Sequence, residues 1–181
     1  MTPNISGRNN QIVMQKALEL KPIGIIHSPF KQAAGTPTQP SYADGAEGRV
    51  EIFPEYAAGL KDLEGFERIW LIYWFDRAAA AQLQVKPYMD EQERGLFATR
   101  APCRPNPIGI SSVKLVRIQN CTLYVADIDI LDQTPLLDVK PYVPKFDCFE
   151  VKRLGWLAGG PPVTKFADNR FCKPQTQEEK Q

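Results

Sequence analysis

A chain of 181 residues with a net charge of +1 is of single-domain size and long enough to bury a sizeable core. Its near-neutral balance excludes a global basic field that would draw it onto nucleic acid, so any RNA contact has to rest on a local patch. No apolar run is long enough to cross a bilayer, and four scattered cysteines with one histidine make a poor zinc site, so no metal is expected.

In chain order, residues 1–20 read as an N-terminal arm. Residues 1–10 are polar (Thr2, Asn4, Ser6, Arg8, Asn9, Asn10), are expected to be disordered, and lack the apolar stretch of a signal peptide, which points to a cytoplasmic protein. Ile12, Met14, Ala17 and Leu18 give a short amphipathic helix over Gln11–Leu20, closed by Pro22. A first strand is expected over Ile23–Phe30, followed by a long polar loop, 31–47, punctuated by Gly35, Pro37, Pro40 and Gly45. Loops of that length are often functional. A second strand, Arg49–Phe53, precedes helical spacing that starts at Pro54 and runs through Tyr56, Ala57, Leu60 and Leu63. The aromatic and β-branched run Arg68–Phe75 predicts a central strand, and Ala78–Leu83 one or two helical turns.

Further strands are expected over Gly95–Thr99, Ile108–Ile118 and Leu123–Ile130, with Asn120 at the tight connection between the last two. Residues 131–144, with Pro135, Pro141 and Pro144, read as a stiff turn, and the tail from Phe166 to Gln181 as polar and mobile. The pattern predicts an all-β chain, a small antiparallel β-barrel or sandwich with short helical insertions, over residues 21–150, with a C-terminal extension over 151–181.

Chemistry concentrates at residues 96–111. Pro102, Pro105 and Pro107 fix φ and rule out a helix, leaving a stiff loop that carries Arg100 and Arg104. Guanidinium groups held on such a backbone are pre-organised for an anionic or planar partner, although a rigid turn bearing two solvated arginines accounts for the same residues. Asp127, Asp129, Asp132 and Asp138 form an acidic row, with Asp127 and Asp129 expected on one strand face. If the two proline-stiffened segments are neighbours, these acids face Arg100 and Arg104, a mixture suited to a zwitterion; structural ion pairing is the bland alternative. There is no G-x-S-x-G elbow, Rossmann fingerprint, P-loop or EF-hand pattern. His27 reads as a hydrogen-bonded strand residue, and Cys103 as a loop thiol exposed enough to react but without a placed base.

The strings FATRAPCRPNPIGIS (97–111) and DIDILDQTPLLDVKPYVP (127–144), with the opening strand from Ile23 to Phe30 and the Phe66–Trp70 stretch, resemble the signature of the TsaA/TrmO-like family, and within it the short archaeal-type members. The resemblance implies a β-barrel that binds S-adenosylmethionine, pairs into a homodimer, and methylates the threonylcarbamoyl-modified adenosine beside the anticodon of tRNA. It implies cofactor contacts from Pro37, Thr38 and Gln39, from Asp76 and Arg77, from Arg100 and Ile110, and from Asp129, Ile130, Leu131 and Asp132, with Arg104, Asn106 and Pro107 supporting that pocket. Catalytic residues are left unassigned. An RNA patch is expected from Arg104, Lys114, Arg117, Lys140, Lys145, Lys152 and Arg153. Three departures stand out. Thr38 occupies a position where the family commonly has arginine, Asp76-Arg77 replaces a His-Gln pair of many bacterial members, and the sequence ends short of the additional C-terminal domain of bacterial forms. A non-catalytic S-adenosylmethionine-binding protein and a methyltransferase on another substrate remain open.

Overall fold

The computed structural model describes residues 18–159 and 164–172. The disorder expected over 1–10, and all of the expected helix except residues 18–20, lie outside the described residues, and 18–20 have no regular structure. Six strands close a barrel in the order β1-β2-β7-β6-β3-β8, every adjacent pair antiparallel. These are β1 (Gly24–His27), β2 (Gly48–Ile52), β3 (Arg68–Trp74), β6 (Ile108–Gln119), β7 (Thr122–Ala126) and β8 (Thr134–Pro141). A two-stranded ribbon, β4 (Gln84–Val85) with β5 (Arg94–Gly95), stands apart.

Period-two alternation makes the core. On β3, Ile69, Leu71 and Tyr73 point inward; they meet Val113 and Leu115 from β6, Leu123 and Val125 from β7, Val50 and Ile52 from β2, Ile26 from β1 and Leu136 from β8. β3 carries the longest ladders, seven residue pairs with β6 from Arg68↔Lys114 to Trp74↔Ile108. The β6–β7 hairpin turns on Asn120 and Cys121, with Asn120 at φ 54°, a left-handed conformation that asparagine tolerates.

Several expectations need correction. Residues 131–144 are not a turn: Thr134–Pro141 is the strand that closes the barrel. Pro135 pairs on the β1 side alone and Pro141 on the β3 side alone, so each sits where β8 is single-laddered and a missing N–H is tolerated. The strand expected over Leu123–Ile130 stops at Ala126, because Asp127 turns the chain out of the ladder at φ 63°. Gly95–Thr99 is mostly a single 3-10 turn, Leu96–Ala98, and no helix forms over Ala78–Leu83. The helical spacing after Pro54 yields a 3-10 segment, Pro54–Leu60. The segment from Phe166 is ordered through Cys172: Phe166 bridges Pro37, Cys172 bridges Ala78, and Phe171 is buried.

The approach of β6 to β3 constrains one position sharply. The Tyr73 ring lies over Gly109, where an added Cβ would overlap it and come within 2.9 Å of Phe75. Tyr73 cannot swing aside, since its ring is buried edge-on to Phe75 and its hydroxyl is tied to Ser111. Gly109→Ala is expected to destabilise the protein by about 1–3 kcal/mol through overpacking, read as a lower Tm in thermal denaturation.

Candidate functional site

A mostly apolar cleft of about 320 Å³ opens at one end of the barrel, between the 31–47 loop, the chain leaving β3, and the proline loop. Its floor is Tyr73 and Gly109. The buried Tyr73 hydroxyl and Ser111 Oγ share a hydrogen bond of 3.1 Å; burial, with the Asp129 charge second, holds the phenol far above its usual range and so neutral.

Asp129 is the most distinctive group in the cleft. Past the turn at Asp127, Ile128 and Ile130 both enter the core, and the carboxylate between them faces the cleft. Its Oδ1 is shielded from solvent and has no hydrogen-bond partner among the described residues. Burial pushes its pKa up to about 6, against the opposing pull of the Ser111 hydroxyl and the Arg100 charge.

The two arginines of the proline loop play different parts. Arg104 points back into its own loop, where Nη1 donates to the carbonyl of Thr99 at 3.0 Å and, more weakly, to those of Ala101 and Leu96. It also lies over the Phe97 ring, 5.7 Å from the centroid. Arg100 points across the mouth and donates Nη1 to Gln39 Oε1 at 2.6 Å, joining the proline loop to the 31–47 loop. Beneath them, Leu96, Ala101, Cys103, Val85 and Phe171 form a second small core. Cys103 belongs to that core and is fully buried, which corrects the expectation of an accessible thiol; burial raises its pKa.

The acidic row does not exist as a row. Asp127 pairs with Arg68 at 2.9 Å, Asp138 with Lys140 at 2.7 Å and Asp132 with Lys31 at 2.6 Å. The left-handed residues Asp127 and Gln133 turn the chain at both ends of the stretch and separate the acids. Ten of the eleven expected contact residues, Pro37, Thr38, Gln39, Asp76, Arg77, Arg100, Ile110, Asp129, Ile130 and Leu131, line the cleft. Asp132 does not: it receives Lys31 and the Ser28 N–H, and only its carbonyl approaches the cleft side, accepting Arg77 Nη2 at 2.8 Å. Of the expected supports, Arg104 lines the cleft and Asn106 and Pro107 do not. His27 contacts Glu51 and Gln133, away from this cleft.

Sequence reasoning missed the C-terminal wall. Ala167, Phe171 and Cys172 line the cleft, held by backbone bonds from Ala167 N–H to Thr36, Gly35 N–H to Ala167 and Ala79 N–H to Phe171. The bonded backbone has no periodic signal, and Lys165, Asp168, Asn169 and Arg170 interrupt its apolar residues. It also missed Tyr73, whose inward place in the alternation of the most apolar strand was readable.

A closed antiparallel barrel with an apolar cleft and few polar groups at one end defines a small-molecule-binding barrel. The chain belongs to the family described as the tRNA-methyltransferase O N-terminal domain, whose model matches residues 25–148. It is 59% identical to a probable S-adenosyl-L-methionine-binding protein of Pyrococcus abyssi, over 76% of this chain and 74% of that one. It is 34% identical to the tRNA (adenine(37)-N6)-methyltransferase of Mus musculus, over 74% of this chain but 34% of the mouse protein. Its structure resembles crystalline TrmO from Pseudomonas aeruginosa with a TM-score of 0.69 and 37% identity, over 81% of this chain and 66% of that chain.

The raised Asp129 pKa has a defined sign in stability. Between the ordinary carboxylate value and about 6, the folded protein holds a proton that the unfolded chain has released, so stability falls as pH rises through that window. Asp129→Asn is expected to flatten this slope and to stabilise the ligand-free protein at pH 7 by about 1–3 kcal/mol, measured by thermal denaturation at pH 4.5 and 7.

Proposed function

We propose that this protein is an S-adenosylmethionine-dependent methyltransferase acting on the threonylcarbamoyl-modified adenosine beside the anticodon of tRNA. The observation that carries the reading is the shielded, unpartnered Asp129 Oδ1 facing an apolar cleft with Arg100 at its mouth. An acid and a guanidinium around an apolar space suit the ammonium and carboxylate of a methionine moiety and the flat apolar body of a nucleoside. Asp129, rather than the Lys31-paired Asp132 or Asp76, which lines the cleft beside Arg77 at 3.4 Å, is assigned the ammonium. Family membership and the printed activities of the mouse and Pseudomonas relatives support the same reaction.

Held by Asp129 and Arg100, S-adenosylmethionine would supply a sulfonium methyl to the acceptor nitrogen, the sulfur becoming a neutral thioether and the acceptor N–H proton passing to solvent. The chain's residues align and dehydrate. Ile108 and Ile110 present apolar surface on one side of the cleft, Phe171 helps to wall it, and the Arg100–Gln39 bond ties the two loops across the mouth. In-line displacement of this kind needs position more than a strong acid or base, which suits a cleft with no histidine in its lining.

The barrel domain, residues 21–150, is the cofactor-binding unit, with residues 151–181 as an extension whose Ala167, Phe171 and Cys172 wall the cleft. A homodimer is supported by Trp74, Ile108 and Ile110, which are 45%, 39% and 49% exposed and form one apolar patch on neighbouring positions of β3 and β6. RNA contact is assigned to exposed Lys114, Arg117, Lys140, Lys145, Lys152 and Arg153, in a cytoplasmic setting. A second reading, binding without transfer, draws on the names of the archaeal relatives, which state binding alone.

Incubation with modified tRNA and methyl-labelled cofactor, followed by digestion to nucleosides, is expected to place label on the carbamoylated adenosine; cofactor binding without label selects the second reading. Arg100→Ala is expected to weaken cofactor binding about 10- to 100-fold in calorimetry, the loss of a charge-assisted contact. Affinity is also expected to fall about tenfold per pH unit below about 6, as Asp129 takes up its proton.

A further inference from the structure

A second concavity lies on the far side of the Arg100–Gln39 bond. It shares Gln39, Arg100 and Ser111 with the surroundings of the cofactor cleft: the first two line both spaces, and the Ser111 hydroxyl joins Tyr73 on the cleft floor. Its own lining is different in kind. Trp70, on the outer face of β3, and Tyr142, just past β8, form a tilted aromatic pair with ring centroids 5.4 Å apart. Both are half-buried. Beside them Arg68 is pinned by Asp127 at 2.9 Å and by the Ser112 hydroxyl and carbonyl at 3.2 and 2.8 Å, so its guanidinium is a fixed plane rather than a roaming charge.

We propose that this groove, lined by Trp70, Tyr142, Arg100 and Gln39, receives the acceptor purine, stacked on one ring of the tilted aromatic pair with its N6 edge turned toward the Arg100–Gln39 border with the cofactor cleft. The inference deepens the methyltransferase reading and rests on it. In-line transfer requires the acceptor nitrogen to reach the methyl carbon from the side opposite the sulfur, so a second site must adjoin the cofactor cleft, and among the described residues Gln39 and Arg100 line both spaces. The chemistry on each side matches its occupant. The cleft offers a mixed aromatic and aliphatic apolar surface with one buried acid; the groove offers the Trp70–Tyr142 pair, the Arg68 guanidinium neutralised by Asp127, and the hydroxyls of Ser41 and Ser112 beside Asp44. An aromatic platform with side-chain donors and acceptors at its edge is how unpaired RNA bases are held. Lys140 faces Trp70 across the β3–β8 ladder and Lys114 faces Arg68 across β3–β6, placing cations where flanking phosphates would lie.

The test uses the full chain saturated with S-adenosylhomocysteine and two fluorescent anticodon stem–loops, one carrying the threonylcarbamoyl-modified adenosine and the other abasic at that position. Anisotropy is expected to show at least tenfold tighter binding of the base-bearing loop. Tyr142→Ala should reduce that preference to less than threefold, Tyr142→Phe should restore it, and both variants should keep their affinity for S-adenosylhomocysteine within twofold of the original. Equal binding of both loops by the unaltered protein, or a preference that survives both Tyr142→Ala and Trp70→Leu in folded protein, overturns the groove. Labelled methyl transfer separates the two levels: transfer that persists when the groove fails leaves the methyltransferase reading standing, whereas cofactor binding with no transfer retires that reading and the groove with it.

Discussion

The site depends on keeping one carboxylate in an apolar place. Asp129 sits between two isoleucines that are buried in the barrel, so it cannot turn to solvent without pulling one of them out of the core. Exposing a buried isoleucine costs about 1.5–3 kcal/mol, comparable to the cost of a two-unit pKa displacement. The fold thus holds the acid against its own solvation preference. Such a group is poor for stability and good for recognition, because a cation entering the cleft removes the penalty as it binds.

The proline loop is organised on the same principle of separating support from function. Arg104 spends its donors on carbonyls of its own loop, where it acts as a brace, and Arg100 is left to cross the mouth. The loop's rigidity comes from three sources: fixed φ at its prolines, the Arg104 contacts, and a secondary core into which Cys103 and Phe171 are packed. Phe171 belongs to the C-terminal segment, beyond the family-matched residues, so a part of the chain outside the barrel stiffens a loop that belongs to it.

How much of this could be read from the sequence follows from the range of the interactions involved. Strands β2, β3 and β6 were readable because period-two burial is local and strong. The cleft's polar residues were legible through the family resemblance, and the stiffness of residues 96–111 through proline alone. The acidic stretch is illegible because strand alternation ends at Asp127, a single left-handed residue, and aspartate tolerates that conformation without any warning in the sequence. The prolines of β8 look like breakers and suggest a turn, and only one-sided pairing at each end of the strand makes them harmless. The C-terminal wall is a matter of backbone bonds between segments about 130 residues apart, such as Thr38 to Lys165, and side-chain patterns do not encode those.

Net charge near zero need not count against action on RNA in this architecture. A barrel this small cannot enclose both a nucleoside cofactor and a nucleotide, so the two have to meet on its outer surface. There, β3 and β6 supply both walls: Ile108 and Ile110 toward one concavity, Trp70 and Ser112 toward the other, along the same two strands. Along this pair of strands the outward surface passes from Trp74, Ile108 and Ile110 to Trp70 and Ser112. If the proposed groove holds the base, discrimination between the two ligands rests on which residues each concavity draws from these strands rather than on a charged field, and the long-range attraction for RNA falls to a few outward lysines whose loss would slow encounter without altering the pocket chemistry.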